Sequence, residues 1–122
     1  MKFLWTTIYV KNMDESIAFY SDLLELKVIN RFQPMPGIEI TFMGNGESGE
    51  TLVELLADNS KTDIKHTDSI VIGFAVNSVN EMIEVVKKKN IPIYVGPIKT
   101  PTSVFFDIKD PNGLSIQFFE QK

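Results

Sequence analysis

The chain contains no cysteine and only one histidine among its 122 residues. Without cysteine there is no disulfide framework, no thiolate nucleophile and no thiolate metal site. The lone His66 sits in a polar stretch beside Lys65 and Thr67, so no catalytic triad can be assembled around it. Positive charge is also short: 12 Lys and Arg stand against 16 Asp and Glu, with no basic stripe. That balance argues against nucleic acid and against an anionic membrane surface as partners. No apolar run approaches the roughly 20 residues of a spanning helix. The opening Met1–Thr7 turns polar too quickly for an export signal, so the expected location is cytoplasmic. What remains as a partner is a small organic molecule or another protein.

What is present is a core-forming composition, 43% hydrophobic, patterned twice in the same order. Residues 3–10 are aromatic and β-branched and read as a strand. Asn12, three before Glu15, opens a helix as a capping box, and Met13, Ile17, Tyr20 and Leu24 recur on one side of it. Strands are expected at about 26–32, 38–43 and 51–56, with Pro34, Pro36 and Gly37 turning the chain after the first of them. The second half repeats β-α-β-β-β: a strand at 69–76, a helix opened by Ser78 and Glu81, and strands at 92–98, 103–108 and 114–119. Val79, Met82, Ile83 and Val86 share a face of that helix, and Lys87, Lys88 and Lys89 suit its negative end. Asp110-Pro111-Asn112-Gly113 is a turn by composition.

The repeat is visible residue by residue. Sliding residue 10 onto residue 76 lays 10–17 over 76–83, and sliding 53 onto 116 lays 53–56 over 116–119. Two copies are too few for a solenoid. The expected fold is therefore α+β, one domain over 1–122: module 1 about 1–57, a linker about 58–68 and module 2 about 69–122. Its two tandem βαβββ modules would form a curved, mostly antiparallel sheet around a pocket, with the helices on the outer face.

Alternation along the strands divides the candidate residues between faces. Leu4, Thr6, Ile8 and Val10 oppose Trp5, Thr7 and Tyr9; Ile70, Ile72, Phe74 and Val76 oppose Val71, Gly73 and Ala75. The aliphatic rows are the natural floor for the helices. On the other face, Gly73 and Ala75 leave room, either for a ligand or for a bulky neighbour. Glu54 lies mid-strand between Leu52 and Leu56, where a carboxylate must be paired, protonated or bound to a ligand or cation. Its repeat mate is Gln117. A Lys or Arg at a sheet edge would satisfy Glu54 equally well.

The run Ile8-Tyr9-Val10, followed by Asp14-Glu15-Ser16-Ile17-Ala18-Phe19-Tyr20-Ser21-Asp22-Leu23-Leu24-Glu25-Leu26, resembles the opening of the vicinal-oxygen-chelate superfamily. That superfamily includes glyoxalase I, extradiol dioxygenases and the fosfomycin- and bleomycin-resistance proteins. Asp110-Pro111-Asn112-Gly113 before Ile116-Gln117-Phe118 is similar to its closing signature, and the resemblance covers essentially the whole chain. It implies metal-ligand places at Trp5, Glu54, Val71 and Gln117. Tryptophan and valine cannot ligate a metal, so neither metal nor other cofactor is expected. The implied function is metal-independent binding of a drug or metabolite by Trp5, Thr7, Glu54, Gly73, Ala75 and Gln117. Trp5, Tyr9, Phe32, Phe42, Tyr94, Phe105 and Phe106 supply candidate aromatic walls. The alternative is a divalent-metal lyase or isomerase of glyoxalase I (lactoylglutathione lyase) type, with Glu54 as the one candidate catalytic group and donors recruited from His66 or a partner chain. A two-fold homodimer is expected in either case.

Overall fold

The computed structural model describes all 122 residues, and its contacts divide the chain into two compact units, Met1–Lys65 and His66–Lys122. Each unit is a βαβββ module with its own four-stranded mixed sheet. The N-terminal unit contains β1 (Trp5–Tyr9), α1 (Met13–Ala18), β2 (Lys27–Met35), β3 (Ile38–Gly44) and β4 (Leu52–Asp58) in the order β1-β4-β3-β2. β1 runs parallel to β4, and the other pairs are antiparallel.

α1 begins where the sequence places it: Asn12 is extended, and its side-chain oxygen accepts the Glu15 N–H at 2.9 Å. Phe19–Leu23 then widens into a π-helical turn, which Glu25 ends in the left-handed region at φ 60°. Met13, Ser16, Tyr20, Leu23 and Leu24 are buried, as are Ile8 and Val10 of the β1 row and Thr41, Met43 and Leu55 of β3 and β4. Leu4 departs from the expected row. It precedes β1 and is exposed, and Ile70 stands likewise outside its strand.

Of the residues expected to turn the chain here, Pro36 and Gly37 do and Pro34 does not. β2 runs on through Pro34 and reverses at Pro36 and Gly37, with a register shift between Phe32 and Met35. β2 is an edge strand, and a bulge at an edge accommodates a residue that has no N–H to donate. Gly37, at φ 84°, makes the reversal.

The C-terminal unit contains β5 (Val71–Ala75), α2 (Val79–Lys88), β6 (Val95–Lys99), β7 (Ser103–Lys109) and β8 (Ser115–Gln121), ordered β5-β8-β7-β6 with β5 parallel to β8. The Ser78 hydroxyl accepts the Glu81 N–H at 3.1 Å, and the Glu120 carboxylate accepts the Val79 N–H at 2.7 Å, so two of the helix's orphan donors are satisfied. α2 packs on β7 and β8 over Val79, Val86, Phe106, Ile108, Ile116 and Phe118, all at most 1% exposed. β6 starts at Val95 rather than Pro92: Pro92 cannot donate to a ladder, and a register shift separates Val95 from Ile98. The Asp110 turn closes on itself. Its Oδ1 accepts the Asn112 and Leu114 N–H groups at 2.8 and 2.9 Å, and Gly113 sits at φ 89°.

Candidate functional site

Register decides which side chains share the face away from the helices. In the N-terminal unit Thr7 pairs with Glu54 and Glu54 with Phe42; one step on, Tyr9 pairs with Leu56, Leu56 with Ile40 and Ile40 with Phe32. Trp5, two residues before Thr7, lies on the same face. Trp5 meets Phe42 edge-on at 5.1 Å between ring centroids, and Phe32 stacks on Phe42 at 6.2 Å. Trp5 is 43% exposed and Thr7 is exposed, whereas Glu54 is only 8% exposed. The Thr7 hydroxyl donates to Glu54 Oε1 at 2.5 Å. Glu54 makes no ion pair, and its strand is central rather than an edge, so a hydroxyl satisfies it where a Lys or Arg was the alternative.

The C-terminal unit has the corresponding face. Gly73 pairs with Gln117 and Gln117 with Asp107; Ala75 pairs with Phe119 and Phe119 with Phe105. A Cβ built on Gly73 meets nothing within 4 Å, so no bulky neighbour explains the glycine. Within each unit the sequence-assigned residues therefore fall together: Trp5, Thr7 and Glu54 on one sheet face, Gly73, Ala75 and Gln117 on the other unit's. One of the expected aromatic walls does not belong there: Phe106 is 0% exposed on the helix side, its ring 5.1 Å from Phe118. Tyr94, ahead of β6, is exposed, with Lys109 Nζ 4.1 Å from its ring centroid.

Lys109 also donates to Asp68 Oδ1 at 2.5 Å and to Ser115 Oγ at 2.8 Å. Its hydrogen bond holds the Asp68 carboxyl below the usual carboxylate range. A group whose pKa is lowered in the folded state favours folding above its unfolded pKa, and that contribution lapses as pH falls through the lowered value. Asp107 was missed by sequence reasoning: its same-face neighbours along the strand are Phe105 and Lys109, so it lacks the two apolar flanks, Leu52 and Leu56, that single out Glu54. An open depression of about 470 Å³ lies elsewhere, at the end of the N-terminal sheet around Lys11, Gln33, Gly37, Asp58 and Lys61, and includes none of the assigned residues.

The residues do not fit a resident divalent metal. Of the four implied ligand places, Trp5 and Val71 have no donor atom, and Glu54 Oε1 accepts the Thr7 hydroxyl. No three His, Cys, Asp or Glu side chains gather anywhere in the chain. No helix is long and apolar enough to cross a membrane.

Against known proteins, the family model described as glyoxalase/bleomycin resistance protein/dioxygenase superfamily matches residues 2–118. A lactoylglutathione lyase from Haemophilus influenzae is 30% identical over 129 residues, covering 100% of this chain and 94% of the relative. The structure of a trypanothione-dependent glyoxalase I from Leishmania major superposes with a TM-score of 0.83 at 28% identity, over 98% of this chain and 86% of that one. An antibiotic binding protein from Streptomyces sp. shares the fold at a TM-score of 0.72 and 13% identity, over 100% of this chain and 97% of that one.

Proposed function

Because the chain belongs to the glyoxalase/bleomycin resistance protein/dioxygenase superfamily, we propose that it holds a small organic molecule against the open faces of its sheets, without a resident divalent metal. The observation that carries this reading is Trp5. Where the family resemblance puts a metal ligand, the chain puts an indole, packed on Phe42 beside the buried carboxylate of Glu54. A ring there offers a planar contact surface with Glu54 as a polar anchor, and the open face of the C-terminal sheet separately offers Gln117. The antibiotic binding protein from Streptomyces supports the reading only as an instance of the same fold with a binding role.

The relatives themselves favour a second reading, the lyase activity named for the Haemophilus protein, since the likeness runs the full length of this chain. Metal content and activity separate the two. Purified protein is expected to carry no stoichiometric Ni²⁺, Zn²⁺ or Fe²⁺ by elemental analysis, and to form no lactoylglutathione when Ni²⁺ or Zn²⁺ is added. About one ion per chain, lost in Glu54→Ala, would overturn the metal-free reading, and lactoylglutathione formed by that metal-loaded protein would establish the lyase reading.

Assembly belongs to the same proposal. β1 and β2 are the edges of one sheet, β5 and β6 of the other, and Val28, Ile29 and Met35 of edge strand β2 are exposed. Unprotected apolar edges invite pairing, which a two-fold homodimer would use productively. Light scattering is expected to give twice the chain mass of 13.8 kDa, and a monomer mass at high concentration refutes it.

A further inference from the structure

Asp107 is 6% exposed, and its Oδ1 is sealed from solvent without a hydrogen-bond partner. It takes part in no ion pair. Lys109, two residues along the same face of β7, is already held by Asp68, Ser115 and the Tyr94 ring. A buried carboxyl oxygen left without a donor is a standing cost to the fold. Glu54 escapes that cost through Thr7, and Asp107 does not.

Nor does the architecture require a carboxylate there. In the N-terminal unit the residue opposite Glu54 on the neighbouring strand is Phe42; in the C-terminal unit the residue opposite Gln117 is Asp107. An aromatic ring thus serves the equivalent register position. Around Asp107 the face offers the Gln117 amide, the open space above Gly73 and, one row along, Phe105 and Phe119.

We propose that Asp107 is the recognition point for an ammonium group of a bound organic molecule whose apolar or aromatic body lies toward Phe105 and Phe119. The proposal rests on the reading that these faces hold a small molecule. An ammonium supplies the missing donors and a charge that a partly desolvated carboxylate binds more strongly than water allows. The paired apolar rings favour an amine with a hydrocarbon body over a bare cation.

The test uses the intact protein with 2-phenylethylamine and its uncharged counterpart 2-phenylethanol, by calorimetry and by the NMR shifts of the Gln117 side-chain amide and the Gly73 N–H. The amine is expected to bind at least about tenfold more tightly than the alcohol and to move both signals. Asp107→Asn is expected to erase that preference. Asp107→Leu is expected to raise Tm of the ligand-free protein by about 4 °C, because it removes an unpartnered buried polar group. Equal affinity for the two probes, a preference that survives in Asp107→Asn, or a lower Tm in Asp107→Leu overturns this assignment and leaves the binding reading standing. If neither probe binds, the assignment of Asp107 to such an amine is overturned, and the binding reading stands. Should Asp107→Leu fail to fold, the carboxylate is structural and the assignment is likewise refuted.

Discussion

Phe106→Ala is expected to destabilise the C-terminal unit by about 3–5 kcal/mol, the range for emptying an aromatic site in a closed core. Phe106 has no exposed surface, its ring packs on Phe118, and α2 lies over the same strands. Neighbours held in a sheet and under a capped helix cannot collapse far into the space. Phe105, one residue earlier, faces the other way and is half-buried, so Phe105→Ala should cost about 1 kcal/mol. Urea unfolding of the two variants checks this through the midpoint at constant slope. Similar losses at both positions would contradict the assignment of Phe106 to the core and Phe105 to the open face.

That pair of neighbours also marks where the sequence was legible. Element order, both N-caps and the repeat could be read from local pattern, because caps and alternation act over a few residues. The repeat offsets reappear in the structure: β1 at Trp5 and β5 at Val71, α1 at Met13 and α2 at Val79, β4 at Leu52 and β8 at Ser115. The shared face of Trp5, Thr7 and Glu54 was legible for the same reason. Which residue answers Glu54 was not. Thr7 reaches it across 47 positions, and only the parallel register of β1 on β4 pairs them. Pro34 misled because proline normally stops a strand, and its tolerance depended on β2 being an edge. Phe106 was read as a wall and proved core because two adjacent phenylalanines take opposite faces, and only the register says which is which.

The larger functional effect is expected at Gly73. Gly73→Leu should weaken binding of 2-phenylethylamine by more than about tenfold while leaving Tm unchanged or higher. Glycine weakens a strand interior by roughly 0.5–1 kcal/mol relative to alanine, so its presence needs a reason. Backbone conformation is not the reason, since the φ of Gly73 is not positive. Close packing is not the reason either, because nothing approaches within 4 Å of the position a Cβ would take. The expected loss of binding follows from the proposal that a ligand occupies this space. Leucine would project into that space beside Gln117, its direct partner on β8, and exclude a ligand without straining the chain. Calorimetry and a thermal melt on the same sample decide the matter. Undiminished binding would show that the space above Gly73 is not the ligand's, and a lower Tm would show that the glycine serves the fold.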